Sequence, residues 1–104
     1  MASTNRIILT LFTSKSCSLC NDAKYTIDQM RSKIQFDLIQ KDIKHSENSV
    51  WFHKYKYDIP VLHLNNQFLF KHKVKKDKLE LVLKKFQETG KIPSEFIDEE
   101  VKTS

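Results

Sequence analysis

Cys17 and Cys20 are the only cysteines in the chain, separated by Ser18 and Leu19. Two thiols at that spacing support reversible disulfide chemistry or supply half of a metal site. An apolar run, Ile7 to Phe12, precedes them, and a helix-like stretch, Leu19 to Ile34, follows. At such a strand-to-helix handover the first thiol meets the unpaired N–H groups and partial positive charge of a helix start, which favour the thiolate, the nucleophilic form. Cys17 is then the exposed, attacking thiol. Cys20, one turn further in beside the apolar stripe, is placed to resolve a mixed disulfide. Lys15, two residues ahead of Cys17, adds a cation near that thiolate, or is a solvated turn lysine.

The elements that must hold these residues follow from apolar periodicity. Ile7 to Phe12 lacks alternation, as a strand buried on both faces does. Thr13 to Ser16 is a polar turn. Leu19, Ala23, Ile27, Met30 and Ile34 recur at spacings of three and four, one stripe of a first helix. Phe36 to Ile43 forms a second strand, parallel to the first through that helix. Ser46 is a candidate cap for a second helix over about Glu47 to Tyr55. Pro60 to Leu64 and Gln67 to Lys71 form a hairpin around Asn65-Asn66. A last helix starts near Asp77, carries Leu79, Val82, Leu83 and Phe86 on one face, and stops at Gly90 and Pro93. The order is β-α-β-α-β-β-α, an α/β fold.

The chain has 104 residues, 30% of them charged, with one glycine, two prolines and no apolar stretch long enough to span a bilayer. One domain is expected over residues 6–93, with an acidic tail over 94–104. Glu95, Asp98, Glu99 and Glu100 face only Lys102 in that tail, so the body is more basic than the overall +5. A basic body favours anionic partners or is simply a solubilising surface. No convincing leader precedes the first strand, which makes the cytoplasm the expected compartment. Two close cysteines in a reducing compartment point to redox or metal chemistry rather than a structural bridge.

The CxxC at the start of helix one, the Ile59-Pro60-Val61 opening of strand three and the order of elements together resemble a glutaredoxin. The resemblance is strongest to the small glutaredoxin-like proteins of the thioredoxin superfamily. It is carried by Phe12 to Cys20 with Asp22-Ala23-Lys24, and by Asp58 to Leu62, and it covers about residues 6–88. It implies a central four-stranded mixed sheet flanked by helices. It also implies a cis Ile59-Pro60 bond facing the cysteines, and pairing of the Ile59 backbone with glutathione or a substrate peptide as an added strand. Glutaredoxins reduce glutathione mixed disulfides and protein disulfides with glutathione as electron donor, so glutathione is the implied co-substrate, with no bound cofactor. The chain departs from the family pattern in two places. Ser18 and Leu19 stand where proline and tyrosine are usual. Lys71 to Lys78 contains no glycine where a glycine pair usually offers N–H groups to the glutathione carboxylate. Lys71 and Lys73 are the candidate anion contacts there.

Other readings rest on weaker signals. Structural zinc needs four ligands, and His45, His53, His63 and His72 are scattered singly. Some glutaredoxins share an iron–sulfur cluster between two copies; Ser18 is compatible with that but does not demand it. Trp51, Tyr55, Tyr57 and Phe70 among lysines suggest base stacking, without a recognisable motif. The expectation is therefore a monomer acting on glutathione or disulfide-containing proteins, with no metal, nucleic acid or membrane partner. The alternative is a thioredoxin-fold binding module whose cysteines do not turn over.

Overall fold

The computed structural model describes residues 5–93; the acidic tail expected over 94–104 lies outside them. Strand β1 (Ile8–Thr13) leads into helix α1 (Ser18–Gln29). Strand β2 (Asp37–Asp42), helix α2 (Ser49–Tyr55), strands β3 (Val61–Leu64) and β4 (Gln67–Lys71), and helix α3 (Lys76–Thr89) follow. The sheet order is β2-β1-β3-β4. β1 and β2 run parallel from Ile8↔Asp37 to Thr13↔Asp42, whereas β3 is antiparallel to both β1 and β4. The expected β-α-β-α-β-β-α order and mixed four-stranded sheet are therefore present.

Alternation along the strands divides the core in two. Leu9, Leu11, Leu62 and Leu64 pack with Ala23 and Ile27 of α1 and with Leu79, Val82, Leu83 and Phe86 of α3. On the other face, Phe12, Val61 and Phe68 pack with Ile43 and Tyr55, and Trp51 and Phe52 of α2 lie against them. A register shift at Leu62/His63 pairs Leu62 with Phe70 and His63 with Phe68. It leaves Leu69 as the extra residue, so that Leu69 and Phe70 both join the α1/α3 core.

Several boundaries differ from the sequence expectation. The first helix does not stay α-helical to Ile34. It ends at Gln29 and tightens into a 3₁₀ turn over Met30–Ser32. The N–H groups of Lys33 and Ile34 both close on the Met30 carbonyl, at 3.0 and 2.9 Å. That tighter winding carries Ile34 into the core. Ser46 is not the cap of the second helix. It begins a 3₁₀ turn, Ser46–Asn48, in which the His45 ring accepts from Glu47 N–H. β3 starts at Val61 rather than Pro60, and α3 at Lys76 rather than Asp77.

The hairpin turn places Asn65 and Asn66 at φ 47° and 72°, left-handed values that asparagine tolerates. Asn65 also ties two strands together. Its Oδ1 accepts from Ile8 N–H at 2.7 Å and its Nδ2 donates to the Arg6 carbonyl at 3.0 Å. Asn65→Ala is expected to cost about 1–3 kcal/mol in urea denaturation, from two lost hydrogen bonds and a strained turn. A loss within error of zero would show that water replaces both bonds.

On α3, Glu80 accepts from Lys84 at 2.9 Å and from Lys33 at 3.0 Å. These hydrogen bonds hold its carboxyl down from the ordinary 4.5 to about 2. A carboxyl with a lowered folded-state pKa adds stability above its ordinary value, and that stability is lost as pH falls toward about 2. Glu80→Gln is therefore expected to flatten the stability profile between those two pH values. A profile unchanged by the substitution would rule the contribution out.

Candidate active site

The site begins where β1 ends. After Thr13 the chain turns through Lys15 and Ser16, closed by Cys17 N–H donating to the Ser14 carbonyl at 3.2 Å. Ser14 is buried, and its hydroxyl lies 3.2 Å from that of Ser16. This turn delivers Cys17 as the N-cap of α1, in extended conformation, with its Sγ accepting from Cys20 N–H at 3.1 Å. A sulfur thus occupies the place where a serine or aspartate oxygen commonly caps a helix. Cys17 is half-buried and Cys20 is buried, 2% exposed, on the α1 stripe with Ala23 and Ile27. The two sulfurs are joined as a disulfide, with Cα atoms 5.2 Å apart. Leu19 between them stands 49% exposed at the surface.

The other expected residues come to the same end of the sheet. Phe12 pairs with Val61, and Thr13 with Asp42, so the Cys17 turn, the start of β3 and the end of β2 are neighbours. The Ile59-Pro60 bond is cis, as the resemblance implies, and Pro60 is buried. Lys71 pairs with Val61 at the end of β4, and Lys73 is exposed just beyond it. Lys15 is exposed and lines a groove of about 390 Å³ beside the disulfide, with Cys20, Asn21, Lys24, Gln40 and Asp42 around it.

Three backbone N–H groups near this mouth are already used. Ile59 N–H donates to the Tyr55 carbonyl at 3.1 Å, so pairing with an added strand there requires that bond to be exchanged. His72 N–H donates to the carbonyls of Pro60, at 2.8 Å, and Asp58, at 3.1 Å, and Lys73 N–H closes on Lys71 at 2.7 Å. The first part of the connection without glycine thus folds back on the proline loop. His72 does this at φ 66°, the left-handed region, with its ring 3.5 Å from the Asp58 carboxylate.

Lys44 is a site-edge residue that the sequence reading did not single out, and His72 and Asp58 were named there without this role. Lys44 Nζ donates to Ser16 Oγ at 3.2 Å across the mouth. The signal for Lys44 was available, because a strand parallel to β1 must end beside the turn that follows β1. His72 had no such signal, since a left-handed histidine cannot be told from any other loop residue.

The aromatic residues weighed for base stacking are partly committed elsewhere. Trp51 lies 4.6 Å from the Phe12 ring and stacks on Tyr55 at 5.7 Å. Tyr55 is buried and its hydroxyl is 2.8 Å from His63 Nε2. Phe70 is in the core, whereas Tyr57 is exposed. Among the described residues no three His, Cys, Asp or Glu side chains converge to hold a metal ion, and no helix is long and apolar enough to cross a membrane.

A mixed sheet with this strand order, and a cysteine pair opening the helix after its first strand, defines the thioredoxin fold. Solved structures bear this out. A thioredoxin-2 of the malaria parasite superposes with a TM-score of 0.60 at 21% identity, covering 82% of this chain and 86% of that one. An N21Q mutant thioredoxin from Halobacterium salinarum NRC-1 gives 0.59 at 16%, covering 80% and 76%. Within that fold, residues 8–84 match the Glutaredoxin-like domain family (DUF836), and the chain belongs to it. A relative from Dictyostelium discoideum, described as "Glutaredoxin-like protein YDR286C homolog", is 34% identical over 77 residues, 70% of this chain and 71% of its own.

Proposed function

We propose that the protein is a dithiol thiol–disulfide oxidoreductase, with Cys17 as nucleophile and Cys20 as resolving thiol. The observation that supports this most is the Cys17 sulfur at the start of α1, accepting the Cys20 N–H at 3.1 Å. A helix start that offers a hydrogen bond to sulfur favours the thiolate. In the reduced protein the Cys17 thiolate attacks one sulfur of a substrate disulfide. A bond forms between Cys17 and that sulfur, and the other substrate sulfur leaves as a thiolate and takes up a proton. Cys20, as thiolate, then attacks Cys17 Sγ and releases the second substrate thiol. The substrate gains two electrons, the protein becomes the Cys17–Cys20 disulfide, and two equivalents of glutathione or one dithiol reductant restore it.

Glutathione mixed disulfides and protein disulfides are the substrate classes in this reading, and the cytoplasm is the compartment. Lys15 tunes the charge at the thiolate, Ile59 and Pro60 form the substrate shelf, and Lys71 and Lys73 contact anionic groups. The internally bonded N–H groups of Ile59, His72 and Lys73 favour a second reading, a binding module whose cysteines do not cycle. Reduction of a small neutral disulfide, driven by glutathione with its reductase or by a thioredoxin reductase system, separates the two. Turnover with either donor supports the enzyme. Its absence with both, at full thiol content, leaves the module.

A further inference from the structure

Lysines without an ion pair gather at the cysteine end, among the described residues, although Lys85 and Lys91 toward the Asn5 pole also lack one. The ion pairs of arginine and lysine with carboxylates include Arg6–Asp37 at the starts of β1 and β2, Arg31–Asp28 at the end of α1, and Lys33 and Lys84 with Glu80. Arg6–Asp37 and Arg31–Asp28 lie at the pole away from the cysteines. At the cysteine end, among the described residues, no carboxylate lies within ion-pair distance of the ammonium groups of Lys15, Lys44, Lys73, Lys75, Lys76 or Lys78. Five carboxylates stand at this end, Asp22, Asp42, Glu47, Asp58 and Asp77, and among the described residues none pairs with those ammonium groups. Asp42 caps the Lys44 backbone N–H, Asp58 faces His72, and Asp77 is a single acid in the first turn of α3.

Lys75, Lys76 and Lys78 also stand where local electrostatics disfavour them. They occupy the N-cap and first turn of α3, and the cap residue makes no side-chain hydrogen bond to the helix. Cations at a helix N-terminus oppose its dipole. Their placement adds to a positive field at this end rather than to helix stability.

We propose that this end docks an acidic polypeptide segment flanking the disulfide that Cys17 attacks. The inference rests on the dithiol reading and names its substrate class. The lysines stand on both flanks of Cys17, Lys44 beyond β2 and Lys73 to Lys78 beyond β4. Those two edge strands are about 14 Å apart at ordinary strand spacing. A tripeptide is about 11 Å long fully extended, so one anchored near its middle at Cys17 covers only part of that width. An acidic stretch of a protein lays carboxylates on both flanks. Two of the N–H groups in the β4–α3 connection, those of His72 and Lys73, are tied to Pro60, Asp58 and Lys71, which leaves a small carboxylate fewer donors there. A nucleic acid would need a run of stacking platforms, and Trp51 and Tyr55 are packed on Phe12, leaving Tyr57 as the exposed member of that group.

The test compares three synthetic peptides with the same disulfide, flanked by glutamates, by lysines or by serines, at low and high salt. The glutamate peptide is expected to exceed the lysine peptide about tenfold in kcat/KM at low salt, mostly through KM, with the advantage shrinking at high salt. Lys73→Glu/Lys75→Glu is expected to reverse that preference. Polyglutamate is expected to inhibit turnover of the glutamate peptide more strongly than an oligo-dT of equal charge. Turnover of all three peptides at equal kcat/KM overturns this inference and leaves the oxidoreductase standing. Stronger inhibition by oligo-dT replaces the polypeptide with a nucleic acid. Absence of turnover on every peptide removes the oxidoreductase reading and this inference with it.

Discussion

Replacing Cys17 with serine is expected to lower disulfide reduction by at least about 10³-fold, to the level of the uncatalysed exchange. Serine keeps the cap, since its hydroxyl accepts the Cys20 N–H as the sulfur does, and the fold should stay intact. It removes the nucleophile, because a hydroxyl with no adjacent base does not ionise near neutral pH. Cys20→Ser is expected to behave differently. The first attack still occurs, but the mixed disulfide at Cys17 is no longer resolved from within, so a protein substrate remains covalently attached and visible by mass spectrometry. A coupled assay of both variants, with circular dichroism to confirm folding, checks the assignment. Turnover by Cys17→Ser above a tenth of wild type would move the nucleophile elsewhere. Alkylation of the reduced wild-type protein gives a second readout. Iodoacetamide is expected to label Cys17 before Cys20, with a half-maximal rate at a pH below the ~8.5 of a free cysteine.

Replacing Phe12 with alanine is expected to cost about 3–5 kcal/mol in urea denaturation. Phe12 is 1% exposed and is the hub of the face under α2. Its ring centroid lies 4.6 Å from Trp51, 4.8 Å from His63 and 5.2 Å from Tyr55. Truncation removes the apolar burial and the edge and tilted ring contacts together, and a short α2 has little freedom to collapse into the space. Phe12→Leu fills most of the volume and is expected to cost less than half as much. A loss below about 1 kcal/mol for alanine would mean that α2 is not packed as described. Phe12 also lies in β1 close to the turn that carries Cys17, so the alanine variant is expected to reduce the preference of iodoacetamide for Cys17 over Cys20 as well as to destabilise.

The elements that place the cysteines were legible because their signals are redundant. Ile7 to Phe12 and the stripe through Ala23, Ile27 and Met30 can satisfy their apolar surface in few other ways, and the parallel arrangement of β1 and β2 follows from the helix between them. Asn65-Asn66 announced its turn because few other residues accept two left-handed conformations in succession. The errors fell where local chemistry is degenerate. Ser46 is a good cap by type, but a 3₁₀ turn capped by the His45 ring comes first, and α2 starts after Asn48 with no side-chain cap. The 3₁₀ ending of the first helix carries no breaker residue in Arg31-Ser32-Lys33, and tertiary burial of Ile34 decides it. At the site, Cys17 and Cys20 were readable from residue type and spacing, and the cis bond at Pro60 only from the family resemblance. The occupied N–H groups of Ile59 and His72 were not, because they depend on how two distant loops fold onto each other.

The gathering of lysines around the cysteine end has a consequence for encounter. It makes the local potential positive where the sulfur lies. A negatively charged body arriving on that side is drawn in and turned before any surfaces touch. Rotational search is thereby shortened for one sign of partner and lengthened for the other, so discrimination begins in solution, ahead of any fitted contact.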